Sequence, residues 1–315
     1  MKSHLAPSVI YYLIVLAIEL SAGVVANGFI VGLNCIDWAK SRTLTSYDII
    51  ITSLAFSRFC LQFLVTIDNF FSMLFPNFFD IFERLHSYLV TWMFINQVSL
   101  CFATCLSVFY CLKIATLNQS LFRWLKLRIS KLTPWLLLGS LLYCLVTTVC
   151  FTFFSYSYSV SFYNFTDNST MSYNRKKAME FTFLVHSIGS ILPLIIFIAS
   201  SVLLFLSLWK HIRKMNFNLD FIPSFRNPSM ESHVRALKSV LSFFILYNIY
   251  YAASTFSIGY IPCFSEKWKA MFWTVLAAAY PSVHSIILIL GNAKLKLSSS
   301  KILYCTNSCF RQVTS

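Results

Sequence analysis

Seven apolar stretches govern this chain, at approximately 8–34, 47–70, 87–114, 132–154, 181–209, 234–259 and 269–291. Each exceeds the roughly 20 residues that an α-helix needs to cross the ~30 Å hydrocarbon core of a bilayer. None shows the strict two-residue alternation of an outer-membrane barrel strand, so each is read as a helix. The composition identifies the solvent. The chain is 57% hydrophobic and 11% charged, with a mean hydropathy of +0.69, whereas a soluble domain carries roughly 25% charged residues. The polar joints are short and no internal repeat is visible. The expectation is an all-α membrane protein: one seven-transmembrane-helix bundle across 1–315, ending in a tail at 292–315.

The positive-inside rule orients the bundle. Counted over alternate loops, 17 of the 25 Lys and Arg fall on one side and seven on the other, with Arg58 inside a span. The richer side is expected to be cytoplasmic, which puts the amino terminus outside and the carboxy terminus inside. The first run is too long for a cleavable signal peptide and reads as an uncleaved signal-anchor. Two sequons, "NFT" at Asn164 and "NST" at Asn168, fall in the 155–180 loop, on the outer side. Both are candidate N-glycosylation sites. Of the ten cysteines only Cys263 belongs to an outer loop, so no pair is available to staple the outer mouth. Cys305 and Cys309 in the tail are either palmitoylated or unmodified.

Charge and motif content also limit the function. The net charge of +14 follows the loop bias and includes no basic-aromatic module, so no nucleic-acid partner is expected. The membrane-embedded part has one clear carboxylate, Glu19, and the six His form no metal-ligand spacing. That is too little for catalysis, which needs convergent acid, base or metal groups, and neither a metal nor a cofactor is expected. Repeated halves, broken helices and rows of charge, the marks of transporters and channels, are also missing.

Seven short stretches then stand out at helix ends. They are "NGFIVGLNCIDW" in helix 1, "LAFSR" in helix 2 and "FATCLSVFYCLKIA" closing helix 3. "SLFRWLKLRISKL" follows in the second inner loop and "LSLWKHIRKM" ends helix 5. "HVRALKSVLSFFILY" opens helix 6 and "YPSVHSIILILGNAKLK" ends helix 7. In this order the chain resembles the bitter taste receptor family (taste receptors type 2), G-protein-coupled receptors of the plasma membrane. The resemblance implies small bitter organic agonists and a gustducin-like heterotrimeric G protein. A related vomeronasal-type chemoreceptor is the alternative, disfavoured by "LAFSR", "FYCLKIA" and "HSIILILGN". The G protein would dock where Tyr110 and Lys113 end helix 3, Lys210 and Lys214 extend helix 5, and His233 opens helix 6.

Residue depth groups a candidate pocket in the outer half: Asp68 and Asn69 ending helix 2, Trp92 and Asn96 one turn apart on helix 3, His186 early in helix 5, Tyr250 on helix 6 and Thr274 on helix 7. The resemblance implies that the positions of Trp92, Asn96, Tyr250 and Thr274 line the orthosteric site. Several receptors of the family carry an acidic or amide residue where this chain has Thr274, which leaves Asp68 as the anion for basic ligands. Trp92 also fits an interfacial belt, and His186 a packed core histidine.

Arg58 sits near the middle of the second run, where a charge costs from a few to more than ten kcal/mol. By depth it meets Asn27 of helix 1 and His284 and Ser285 of helix 7. Pro281 has no N–H for the Ala277 carbonyl, which is therefore a ready acceptor for the guanidinium. The resemblance implies that an arginine is usual here; it reads either as a lock with different partners in two states or as a static staple. Gly28 and Gly32 form a GxxxG that fits either a homo-oligomer face or close packing on helix 2 or 7. The basic tail is expected to lie on the membrane surface.

Overall fold

The computed structural model describes residues 7–74, 81–115, 119–163, 171–218, 228–260 and 267–313. They form eight helices: α1 Pro7–Ser41, α2 Ser46–Leu74, α3 Ile81–Ile114, α4 Ser120–Tyr163, α5 Met171–Asn218, α6 Pro228–Tyr260, α7 Lys267–Gly291 and α8 Ala293–Val313. Seven of them, α1 to α7, contain windows long and apolar enough to span a bilayer. The all-α seven-helix architecture expected from the sequence is present. Asn164 and Asn168 lie outside the described residues, as does Cys263.

Local chemistry sets the helix ends. Thr45 and Asp48 exchange capping hydrogen bonds at the start of α2, with the Asp48 N–H donating to Thr45 Oγ1 at 3.1 Å and Thr45 Oγ1 donating to Asp48 Oδ2 at 2.8 Å. Asn292 separates α7 from α8: its Oδ1 accepts from the N–H groups of Lys294 and Leu295 at 2.9 and 3.3 Å. A side-chain oxygen at that position satisfies amides that a helix start otherwise leaves bare. Arg42 closes α1 in the left-handed region, at φ 57°.

Exposure is inverted relative to a soluble protein. Leu127, Val25, Trp135 and Phe153 are among many large apolar side chains at 66% exposure or more, as a lipid-facing surface requires. α3 is the axis of the bundle: 78% of its apolar window is buried, against 22% for α1 and α4. It packs on α2, α4 and α5, while α1 lies against α2 and α7, and α6 chiefly against α7.

Prolines create the polar joints between helices. Pro193 has no N–H for the Gly189 carbonyl four residues earlier. That oxygen accepts instead from Gln97 Nε2 of α3 at 3.0 Å and from the Tyr143 hydroxyl of α4 at 2.7 Å. Pro134 likewise frees the Ser130 carbonyl, which accepts from Ser46 Oγ of α2 at 3.1 Å. With no water in the bilayer core, such orphans must find side-chain partners. Between α3 and α5, Ser107 Oγ adds contacts to Ser200 and Ser201 at 2.8 and 3.1 Å. The described cysteines, Cys35, Cys60, Cys101, Cys105, Cys111, Cys144 and Cys150, are all free thiols.

Candidate functional site

An aromatic core runs between α3, α6 and α7, in the half of the bundle away from the basic loops. Trp92 is 4% and Tyr250 2% exposed, and their ring centroids are 6.4 Å apart across the α3–α6 seam. Trp92 therefore belongs to the bundle interior and not to an interfacial belt. Asn96 lies one turn from Trp92, buried at 1%. Tyr250 stacks on Tyr280 of α7 at 4.8 Å, and Tyr247 meets both rings at 6.1 and 6.2 Å. Aromatic pairs at such separations each add about 0.5–1.5 kcal/mol beyond the area they bury.

The remaining pocket candidates lie toward α1. The Tyr12 hydroxyl donates to Asn69 Oδ1 at 2.5 Å, and Asn69 Nδ2 donates to the Val65 carbonyl at 2.7 Å. Thr274 Oγ1 bonds the Ala270 carbonyl at 2.9 Å and lies beside Tyr12. Asp68 is half-buried, close to Tyr12 and Tyr88. Sequence reasoning missed Tyr12, which connects these residues across α1, α2 and α7. The side chain of His186 lies outside the described residues; its neighbour Ser187 pairs with the Tyr251 hydroxyl across the α5–α6 seam.

Below the aromatic core sits Arg58, 0% exposed. Its Nη2 donates to the Tyr280 hydroxyl at 3.5 Å, and its guanidinium faces the rings of Tyr280 at 5.4 Å and Phe243 at 5.8 Å. This corrects the expected partners. Neither Asn27 nor the Ala277 carbonyl receives the arginine; the phenol one turn further along α7 does. Asn27 pairs instead with Ser285, whose Oγ donates to Asn27 Oδ1 at 2.6 Å and contacts the Pro281 carbonyl at 2.8 Å. His284, 1% exposed, packs edge-on to Phe243 at 5.3 Å. The expected link of α1 to α7 is present, the link of α2 runs to Tyr280, and α6 joins through Phe243. A second polar knot, also missed, ties α1, α2 and α7: Ser282 Oγ contacts the Glu19 carbonyl at 3.1 Å and Gln62 Oε1 at 3.0 Å. Gln62 was visible in principle, one turn from Arg58 on the same face of α2.

At the basic end, Tyr110 is half-buried and packs on Tyr47 of α2 at 5.8 Å. Lys113 is exposed, with Nζ 5.8 Å from the Phe109 ring centre, and Lys210 is exposed. The side chains of Lys214 and His233 lie outside the described residues, as do those of Cys305 and Cys309. Lys294, at the start of α8, reaches back to Asp37 at 2.7 Å, Asp48 at 3.4 Å and Asn34 Oδ1 at 3.2 Å. Burial pulls its pKa down, but the two carboxylates outweigh that and raise it above the ordinary lysine value. Among the described residues, no group of three or more His, Cys, Asp and Glu could hold a metal.

Comparison with known proteins bears on this arrangement. A family model described as taste receptor protein (TAS2R) matches residues 5–307. Taste receptor type 2 member 2 of Homo sapiens is 37% identical over 302 residues, covering 94% of this chain and 96% of its own. Taste receptor type 2 member 9 of Pongo pygmaeus is 38% identical over 297 residues, covering 93% of each chain. Among solved structures, squid rhodopsin superposes with a TM-score of 0.60 over 98% of this chain and 89% of its own, at 15% identity, a likeness of fold alone.

Proposed function

The chain belongs to the taste receptor type 2 family, bitter taste receptors of the plasma membrane that pass small-molecule binding to a G protein, and we propose that it does so through the Trp92–Tyr250 core. In this reading agonists enter the half of the bundle away from the basic loops. They contact Trp92 and Asn96 of α3, Tyr250 of α6, Thr274 of α7 and, toward α2, Asp68 and Asn69, with His186 on the α5 side. The observation that carries it is the near-complete burial of Trp92 and Asn96 of α3 and of Tyr250 of α6, with the Trp92 and Tyr250 rings meeting across the α3–α6 seam. A mostly aromatic environment with a few polar groups suits apolar organic molecules of varied shape. Asp68 provides the anion for ligands that carry a cationic nitrogen.

The basic end is cytoplasmic in this reading, and the G protein is of the gustducin type. It docks among Tyr110, Lys113, Lys210, Lys214 and His233, while Arg58, Asn27, Pro281, His284 and Ser285 relay the pocket to that face. A second copy of the chain would use the open Gly28–Gly32 face of α1.

Calcium imaging of cells expressing the chain with a gustducin-type chimeric G protein tests the coupling. With agonists in hand, Trp92→Ala and Tyr250→Phe should each shift potency about fivefold or more for some agonists and little for others, because losing a packed ring, or a hydroxyl that the agonist bonds, costs on the order of 1–2 kcal/mol. A uniform shift across unrelated agonists would assign these residues to folding or to the activation equilibrium, and the pocket would lie elsewhere.

A further inference from the structure

Arg58 carries a positive charge, and among the described residues no carboxylate lies beside it. The polar group that acts on it is the Tyr280 hydroxyl, through one long hydrogen bond of 3.5 Å. Its Nε and Nη1 are buried and have no acceptor among the described residues. The two ring faces return about 0.5–2 kcal/mol each, against several kcal/mol for taking an ion out of water. The cation needs a negative partner, and none of the described residues supplies one.

The groups around it share the capacity to donate a hydrogen bond. Among the described residues, Ser239 Oγ, Gln62 Nε2 and the Tyr247 hydroxyl are also buried without a partner, and Ser99 Oγ and the His284 ring nitrogens, equally buried, make no well-formed hydrogen bond. Gln62 is one turn from Arg58 on α2, and Ser99 of α3 lies beside the Tyr280 hydroxyl. His284 packs on Phe243, next to the Ser239 backbone of α6. Tyr247 stacks on the same Phe243 at 5.6 Å. Guanidinium, hydroxyls, carboxamide NH2 and imidazole all offer N–H or O–H. Water accepts and donates with equal ease, so it fills hydrogen bonds there but leaves the charge standing. An anion accepts from all of these donors and neutralises the arginine as well.

We propose that this centre is an anion site, in which a small monovalent anion, chloride in a physiological medium, binds beside Arg58 between α2, α3, α6 and α7. Arg58 Nε and Nη1 are its charged donors, and Ser99 and Ser239 bring α3 and α6 into the same shell. Neither the agonist pocket nor the G-protein surface enters this site, so it can be tested without an agonist and without a G protein.

The purified receptor in lipid nanodiscs would be heated in increasing sodium chloride, with ionic strength held constant by sodium gluconate. The unfolding midpoint should rise by about 3 °C or more and then saturate, as for a ligand that binds the folded state alone. Bromide should replace chloride. The Ser99→Ala, Ser239→Ala double variant should raise the half-saturating chloride about tenfold or more, since each removes one hydrogen-bond donor to the anion. Arg58→Leu, if it folds, should show no chloride dependence; if it does not, the double variant decides. Equal midpoints in chloride and gluconate would overturn the site and leave water as the partner of Arg58. A chloride effect unchanged in the double variant would place the anion elsewhere and overturn it equally.

Discussion

Tyr280 has two jobs at one position. Its hydroxyl is the protein acceptor that reaches Arg58, and its ring both faces the guanidinium and stacks on Tyr250 at 4.8 Å. Tyr280→Phe separates the two, because it keeps the ring and removes the acceptor. Leaving a buried donor without its partner costs about 1–3 kcal/mol. The variant should therefore unfold several degrees lower, and if Arg58 is a lock with two sets of partners, its basal signalling per surface receptor should change as well. Surface labelling beside a calcium or GTP-exchange assay checks both; lowered stability with unaltered signalling would make Arg58 a static staple. Depth along a helix can be counted in the sequence, which is why Arg58, Asn27, His284 and Ser285 were placed at one level. The azimuth could not be counted to within a side chain. Ala277 and Tyr280 are one turn apart on nearly the same face, and a phenol reaches into the bundle where a backbone carbonyl stays on its own helix.

The glycines of α1 show how one element uses identical residues differently. A Cβ on Gly23 would come within 2.6 Å of Gln62 Oε1 and 2.7 Å of Ser282 Oγ, whereas on Gly28 or Gly32 it would meet nothing within 4 Å. Gly23→Ala should thus push apart the hydrogen-bonded Gln62–Ser282 pair and lower thermal stability by about 1–2 kcal/mol. Gly28→Ala and Gly32→Ala should be neutral or slightly stabilising, given the helix propensity of Ala. A loss at Gly28 or Gly32 without one at Gly23 would put the packing face of α1 on the wrong side. The GxxxG spacing was easy to see in the sequence and the lone Gly23 was not, although Gly23 is the close approach. Spacing along a helix does not say which side another helix occupies. The tether of α8 was hidden for a similar reason, because Asp37, Asp48 and Lys294 converge from three helices. Lys294→Gln should loosen α8, seen as faster amide exchange over the start of that helix. Since the carboxylates raise the Lys294 pKa, the tether is fully present below the ordinary lysine value of about 10.4 and lost as pH rises through the folded one. The difference between wild type and Lys294→Gln should accordingly be flat from pH 6 to 9 and shrink above about pH 10.5.

At the scale of the whole molecule, the number of spans and the lipid-facing surface were legible from apolar run length, because a bilayer imposes the same length on every crossing. Orientation belongs to another level of physics, the asymmetry of the flanking charges during insertion. With 17 Lys and Arg on one side and seven on the other, the proposed retention of the basic loops in the cytosol would put the 155–180 segment outside, where the glycosylation machinery would reach Asn164 and Asn168. Glycosidase treatment of the expressed receptor should sharpen and lower its band on a gel, and the double variant Asn164→Gln, Asn168→Gln should abolish that shift. Asn118, in the sequon "NQS", is placed on the cytosolic side and should carry no glycan. The discriminating result is a glycan that survives in the double variant and disappears with Asn118→Gln. That outcome would invert the bundle, bring the Trp92–Tyr250 core to the cytosolic half, and remove both the agonist pocket and the G-protein face from the positions given to them.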